Sequence, residues 1–174
     1  MSPRSIILPK LKRSERCVRK LHTPMAQTTT LARPKVVLLG PAKVGKTRLV
    51  NSFFGDFRVR PYIPTPGVEV HQVTLSNGAR LDVWDTAGDP NFGGLRDGYY
   101  SEASGFLILL NATCAHEFEY HLLDGRRVAP EARVVVAFDG EGGFSTQEPG
   151  VVVVRINLAR RENLEAALLP FVAQ

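Results

Sequence analysis

The chain has few of the features that mark secreted or membrane-embedded proteins. Its 174 residues include only two cysteines, Cys17 and Cys114, far apart and without the spacing of a metal site. Such sparse cysteines indicate a reducing compartment and no disulfide framework. The longest apolar runs, residues 106–110 and 151–154, have the length of a buried strand, whereas a bilayer span needs about 20 residues. We therefore expect no membrane segment.

Acidic residues are almost missing from the start of the chain. Residues 1–33 hold eight Lys and Arg against one acid, a net charge of +7, whereas residues 34–174 hold fourteen against sixteen, a net charge of −2. A nucleic-acid-binding domain would carry its basic charge on the folded surface, so we expect no direct nucleic-acid binding. The first segment fits a transit peptide, a nuclear-localisation or anion-binding arm, or a disordered extension. Met25 is an alternative start. We predict disorder over 1–33 and one domain over 34–174.

From residue 35 onward, apolar strands alternate with helical or looped segments, which is typical of an α/β fold with a mostly parallel sheet and helices on both faces. Strands are predicted near 35–39, 67–75, 80–85, 105–111, 132–138 and 150–155, and helices near 46–54, 114–123 and 160–171. The Asn-Gly pair within residues 76–79 predicts a tight hairpin, so one strand of the six runs antiparallel.

Residues 40–47 read Gly-Pro-Ala-Lys-Val-Gly-Lys-Thr and directly follow an apolar strand. This matches the phosphate-binding pattern G-x-x-x-x-G-K-[ST], in which successive backbone N–H groups and the following helix cradle an anion. Lys46 is expected to reach the terminal phosphates, and the Thr47 hydroxyl to occupy one position on Mg²⁺.

Two further segments suit a nucleotide switch. Asp85 follows an apolar strand, so it lies at a strand's carboxyl end, where open α/β sheets bind ligands. An aspartate there holds Mg²⁺ through water, and Gly88 brings its backbone N–H to a γ-phosphate. Between the two motifs, Thr65 in a proline-rich loop is a candidate second magnesium ligand. We also expect Pro66 to bias Thr65 toward an extended conformation that favours its ordering around the metal.

The chain resembles the Ras superfamily, and within it the Ran branch. Residues 92–100 (Phe-Gly-Gly-Leu-Arg-Asp-Gly-Tyr-Tyr) are similar to Ran's second switch region. Residues 65–71 resemble its first switch, and residues 84–88 resemble its Trp-Asp-Thr-Ala-Gly motif. The resemblance implies a P-loop small G-domain that binds GTP or GDP with Mg²⁺. It also implies two mobile segments, roughly 55–67 and 86–101, that the γ-phosphate holds in place.

The resemblance assigns roles to individual positions. The implied catalytic residues are Asp89, Tyr62 and Lys46, and the implied metal ligands are Thr47, Thr65 and Asp85. The implied nucleotide-binding residues are Gly40, Lys43, Val44, Gly45, Lys46, Thr47, Arg48, Thr65, Gly88 and Asp139.

The sequence departs from the family pattern in several places. Asp89 stands where active relatives have the glutamine that orients the attacking water, and Ala42 stands where the phosphate loop often has glycine. Both changes should slow hydrolysis. The guanine-reading N-K-x-D motif is replaced, with Asp139 at its asparagine position, and Asn157-Leu158-Ala159 replaces S-A-K. Selectivity for guanine should therefore fall, although Glu141 is a possible substitute. The short segment after the fifth strand leaves no room for the usual fourth helix.

The leading hypothesis is a Ran-like GTP-binding switch or decoy in nucleocytoplasmic transport, with slow or absent hydrolysis. The implied partners are importin-β-type receptors and Ran regulators, which would contact Phe92, Leu95, Arg96, Tyr99 and Tyr100 if these side chains are exposed. We expect a monomer in nucleus and cytoplasm. The alternatives are a competent GTP hydrolase with altered base recognition, and a degenerate interaction protein that binds no nucleotide. Phosphotransfer to a small molecule ranks below these, because no lid or second substrate region is evident.

Overall fold

A six-stranded sheet forms the centre of the protein in the computed structural model, which describes residues 33–56, 58 and 60–172. The predicted extension, residues 1–33, lies outside the described residues except for Arg33, so the predicted domain boundary stays a prediction. The strands are β1 (Lys35–Leu39), β2 (Val68–Thr74), β3 (Arg80–Thr86), β4 (Gly105–Asn111), β5 (Arg133–Asp139) and β6 (Val151–Ile156).

The sheet has the order β2-β3-β1-β4-β5-β6. Only the β2–β3 pair is antiparallel, and the other four pairs are parallel. The predicted hairpin joins β2 to β3: the Leu75 N–H donates to Ala79 O at 2.9 Å, and Gly78 takes a φ of 82°. Because β1, β4 and β5 lie inside the sheet, their apolar runs are buried, as a parallel sheet covered on both faces requires.

Both faces of the sheet are covered, as two neighbouring residues of β4 show. The Phe106 ring packs edge-on against Tyr100, and Gly125 lies against the same ring. A Cβ on Gly105 would instead lie 2.3 Å from the Phe171 ring near the end of the chain. Successive side chains of a strand point to opposite faces, so different segments cover the two sides. The predicted mixed α/β architecture is confirmed.

Three α-helices are described: α1 (Lys46–Ser52), α2 (Arg96–Tyr100) and α3 (Phe118–Val128). The sequence predicted α1, although α1 ends two residues earlier than expected. The predicted helix over 114–123 instead begins as a 3-10 turn, Ala115–Glu117, and continues to Val128. No helix lies between β5 and β6, in agreement with the missing fourth helix. None of the described helices is long and apolar enough to cross a membrane.

The predicted helix over residues 160–171 is wrong. The structure has two short 3-10 helices there, Glu165–Ala167 and Leu169–Phe171. Arg161 and Asn163 take φ values of 62° and 58°, which a right-handed helix does not permit.

The buried residues of this segment nevertheless follow a helical spacing. Leu164, Ala167, Leu168 and Phe171 are all buried, at the spacing expected for a helix. Pro170 has no N–H to donate and disfavours a continuous helix, so the chain buries the same face in two separate turns.

The predicted loop over 86–101 is also largely helical. It contains a 3-10 helix, Pro90–Leu95, followed directly by α2. Asp124 of α3 holds α2 in place: its Oδ2 accepts hydrogen bonds from the Arg96 guanidinium at 3.2 Å and the Tyr100 hydroxyl at 3.1 Å. Tyr100 is only 2% exposed, so the second half of this segment is fixed to the domain.

Replacing Asp124 with alanine is expected to lower the free energy of unfolding by about 2 kcal/mol, because it leaves the buried Tyr100 hydroxyl without its acceptor and the Arg96 guanidinium without its carboxylate partner. Denaturant unfolding checks this. Asp97→Ala is the matched control: Asp97 pairs with Arg127 but is 64% exposed, so its loss should change stability by less than about 0.5 kcal/mol. Equal effects of the two variants would show that the Asp124 contacts do not stabilise the fold.

His121 of α3 gives the fold a dependence on pH. The side chain is 6% exposed, and Nε2 has no hydrogen-bond partner among the described residues. Burial lowers the pKa of His121 to about 4, helped by the nearby Lys46 and Arg96 charges. The Asp124 charge acts in the opposite direction but does not offset the burial. The Glu117 carboxylate lies 3.8 Å from Nε2. His121 therefore stays neutral in the folded protein at pH values where the unfolded chain takes up a proton.

The free energy of unfolding should fall between pH 6.5 and about 4, by up to about 3 kcal/mol from this residue, because only the unfolded chain binds a proton there. Urea unfolding at a series of pH values measures the slope. His121→Leu removes the titrating group, so its stability should change less over this pH range. An unchanged slope in the variant would contradict the assignment.

Candidate functional site

The turn between β1 and α1 has the backbone conformation of an anion cradle. Gly40, Lys43 and Gly45 take φ values of 137°, 65° and 109°, all in the left-handed region. A Cβ on Gly40 would lie 2.5 Å from Leu109 O of β4. Glycine is thus required at this position both for its dihedral angle and for the close approach of the backbone. The loop lies where the sequence motif predicted it.

Lys46 begins α1 and reaches back under this loop. Its ammonium group donates to Gly40 O at 2.7 Å and Pro41 O at 2.9 Å, and the residue is 6% exposed. Burial lowers the pKa of Lys46 to about 8, although the Asp85 charge acts in the opposite direction. A buried cation with a carboxylate and two carbonyls nearby is suited to neutralise an anion held by the loop.

Three oxygen-bearing side chains from separate segments converge beside Lys46. The Thr47 hydroxyl donates to Asp85 Oδ2 at 2.6 Å, and its oxygen lies 3.1 Å from the Thr65 hydroxyl. Asp85 is completely buried, and its Oδ1 has no hydrogen-bond partner among the described residues. Burial raises the pKa of Asp85. The Thr47 hydrogen bond and the Lys46 charge act in the opposite direction but offset the burial only in part. The sequence predicted this grouping.

This set fits a magnesium ion. Mg²⁺ prefers hard oxygen ligands and is held through one or two carboxylates together with substrate phosphates. Thr47, Thr65 and Asp85 supply only oxygen ligands, and Asp85 Oδ1 is a buried acceptor to which no described residue donates. A cation at this point would also compensate the buried carboxylate.

Gly88 lies directly against the phosphate loop. A Cβ on Gly88 would be 2.5 Å from Ala42 N and 2.6 Å from Lys46 Nζ. Only glycine permits this approach. The second predicted switch segment therefore begins within reach of any group that the loop binds.

The Asp89 side chain forms a hydrogen bond with the backbone of its own segment. Its Oδ1 accepts a hydrogen bond from the Asn91 N–H at 2.9 Å, and its carbonyl accepts one from the Phe92 N–H at 3.2 Å. Asp89 thus caps the 3-10 helix Pro90–Leu95. The carboxylate contacts backbone at the position where relatives orient water.

The remaining loop side chains take several directions. Val44 is buried, so only its backbone is available to a ligand, and Arg48 donates to Leu158 O at 3.3 Å. Ala42 is exposed. Tyr62 is 49% exposed, and the Lys43 ammonium lies 5.6 Å from the centre of its ring.

The predicted base-reading residue is already engaged. Asp139 Oδ1 accepts a hydrogen bond from the Leu158 N–H at 2.9 Å. A Cβ on Gly45 would lie 2.9 Å from Leu158 Cδ1, so Leu158 reaches the phosphate loop. The possible substitute, Glu141, is 79% exposed and pairs at 3.4 Å with Arg160. The sequence analysis did not predict that Leu158 contacts the phosphate loop. The available signal was that Leu158 replaces the small alanine of S-A-K.

The predicted partner surface on residues 92–100 is smaller than expected. Leu95 is 54% exposed, but Tyr100 is buried and the Arg96 side chain, 13% exposed, is bonded to Asp124 and Tyr120. Tyr100 therefore does not meet the condition of exposure on which its place in the partner surface depended, because its ring packs on Phe106.

One family comparison bears on this geometry. A family model described as Ras of Complex, Roc, domain of DAPkinase matches residues 35–139, more than half of the chain. The match runs from β1 to the end of β5, so it includes the phosphate loop, Thr65, Asp85 and Gly88.

Proposed function

The chain belongs to the Roc family and is therefore a Ras-superfamily G-domain, and we propose that it is a slow nucleotide-dependent switch. This family generally binds GTP or GDP with Mg²⁺. The observation that carries the proposal is the meeting of Thr47, Thr65 and Asp85 beside Lys46, because these oxygen-bearing side chains come from three separate segments and converge at the phosphate loop.

The chain's own residues divide the work of binding. The left-handed loop presents backbone N–H groups to phosphate, and Lys46 supplies the buried positive charge. Thr47, Thr65 and Asp85 would hold Mg²⁺, which when bound neutralises phosphate charge. Thr65 and Gly88 lie on the two predicted switch segments, so the ordering of both segments depends on the same ligand.

Slow hydrolysis follows from two side chains. The Asp89 carboxylate accepts the Asn91 N–H and has no amide donor with which to orient water. Ala42 adds a methyl group to the phosphate loop. In relatives that have a water-positioning residue, a stimulating partner accelerates GTP hydrolysis by up to about 10⁵-fold. This chain lacks the water-positioning residue.

Weak base selectivity is the second part of the proposal. Asp139 is held by the Leu158 N–H, and Glu141 is a solvated acid paired with Arg160. Buried polar groups that pair with one base provide most discrimination between bases. We therefore expect GTP and ATP to differ less in affinity than they do for relatives that retain N-K-x-D.

A role in nucleocytoplasmic transport is the third part of the proposal. Residues 92–100 resemble Ran's second switch, which supports importin-β-type receptors and Ran regulators as partners of a monomer in nucleus and cytoplasm. Leu95 is the exposed apolar side chain of this segment that such a receptor would cover.

The decisive experiment titrates GTP, GDP and ATP with Mg²⁺ and then follows phosphate release with and without a Ran-activating protein. Tight binding of GTP without release supports the slow switch. Rapid release would contradict the roles given to Asp89 and Ala42, and a folded sample that binds no nucleotide would leave the degenerate interaction protein. Binding of an importin-β receptor by the GTP-loaded protein, but not by Leu95→Glu, supports the transport role, and no binding refutes it.

A further inference from the structure

Lys43 is the non-glycine residue of the phosphate loop that has a left-handed backbone conformation. Its φ of 65° lies in the left-handed region, between two glycines, Gly40 and Gly45, that adopt such angles without strain. A lysine there is strained, and strained backbone conformations persist where the surrounding structure fixes them and cluster at functional sites.

The Lys43 side chain crosses from the phosphate loop to the first switch segment. Its ammonium lies 5.6 Å from the centre of the Tyr62 ring, within the range of a cation–π contact. Both residues are exposed to solvent, so the charge is accessible. Lys46, by contrast, is buried beneath the same loop.

Two contacts therefore join the same two segments. The Thr47 and Thr65 hydroxyl oxygens lie 3.1 Å apart. The Lys43 ammonium contacts the ring of Tyr62, which lies three residues before Thr65 in the chain. Pro64 lies between Tyr62 and Thr65 and restricts the backbone there, so the placement of the ring is coupled to that of the candidate metal ligand.

We propose that Lys43 is a second phosphate-binding cation, held over the loop by Tyr62, that makes the site prefer triphosphates to diphosphates. The inference rests on the proposed function and adds a specificity-determining residue to it. The longer anion extends beyond the buried Lys46 and carries more negative charge, so an exposed cation at the outer rim favours it. Charge-assisted hydrogen bonds are the strong class of such contacts.

The test uses the full chain with inorganic tripolyphosphate and pyrophosphate as probes, which removes any contribution of the base, followed by GTP and GDP. Thermal unfolding and equilibrium titration are measured at low and high salt. The variants are Lys43→Gln, which removes the charge, Lys43→Arg, which keeps it, and Tyr62→Phe and Tyr62→Ala. Arg80→Gln is the matched control, because Arg80 is exposed at the opposite end of β3 from Asp85.

We expect Lys43→Gln to reduce the preference for triphosphate over diphosphate about tenfold and to weaken its salt dependence. Lys43→Arg and Tyr62→Phe should retain the preference, Tyr62→Ala should lose part of it, and Arg80→Gln should not change it. An unchanged preference in Lys43→Gln, in a wild-type protein that binds nucleotide, overturns this inference alone. A wild-type protein that binds none of the four probes overturns the proposed function as well.

Discussion

Replacing Lys46 with alanine is expected to lower the affinity for magnesium nucleotide at least about 100-fold, since a buried ammonium bonded to phosphate is among the stronger charge-assisted contacts in proteins. Lys46 is 6% exposed, and no other lysine of the loop is buried. Its loss cannot be compensated by Lys43, which lies on the exposed side. Titration with a fluorescent nucleotide analogue measures the change.

The stability of the nucleotide-free protein should change far less in this variant. Burial lowers the pKa of Lys46 to about 8, so the folded protein carries the ammonium at a cost that alanine removes. This gain is opposed by the loss of the hydrogen bonds to Gly40 O and Pro41 O and of the positive charge that partly compensates the buried Asp85 carboxylate. We therefore expect a net loss of about 1 kcal/mol. Arg80→Ala is the control for loss of a positive charge. Retained affinity in a folded Lys46→Ala protein would contradict the anion cradle itself.

Replacing Asp85 with asparagine is expected to abolish the dependence of nucleotide binding on Mg²⁺. The amide preserves the shape of the side chain and an acceptor for the Thr47 hydroxyl, but it removes the charge that would hold the cation. Wild-type affinity should fall by about 10- to 100-fold when EDTA removes the metal, the range seen when groups that support a metal are lost. The variant should show the lower affinity under both conditions.

Two features make this variant informative. Burial raises the pKa of Asp85, so removing the carboxylate relieves a cost in the metal-free protein, whose stability should be equal or greater. Asp82→Asn is the matched control from the same strand, because the Asp82 carboxylate pairs with Arg33 at 3.2 Å. A variant that still responds to EDTA as the wild type does would show that Asp85 does not support the metal.

The centre of the fold was predictable because its signals are local. The buried runs of β1, β4 and β5 are continuous and apolar, which is how strands covered on both faces read. The phosphate loop is fixed by glycines whose backbone angles other residues avoid. Asp85 could be placed at the site because the carboxyl ends of parallel strands meet at one edge of a sheet.

The errors arose where packing overrides local preference. Residues 160–171 have a helical apolar period, but two positive φ angles and Pro170 divide the segment. The segment 86–101 is rich in glycine and reads as a loop, yet α3 holds α2 against the sheet through Asp124. Both outcomes depend on partners distant in the chain.

By itself, the sequence determined that a strand, a glycine-bounded turn and a helix bring a lysine and a threonine to one loop, because those requirements are met within a few residues. Only the tertiary structure decided what the departures from the family pattern do. It turned the Asp89 carboxylate to a backbone N–H, engaged Asp139 with Leu158, and set Lys43 over Tyr62. The direction of a side chain depends on neighbours from other segments of the chain, and a local sequence motif does not specify those neighbours.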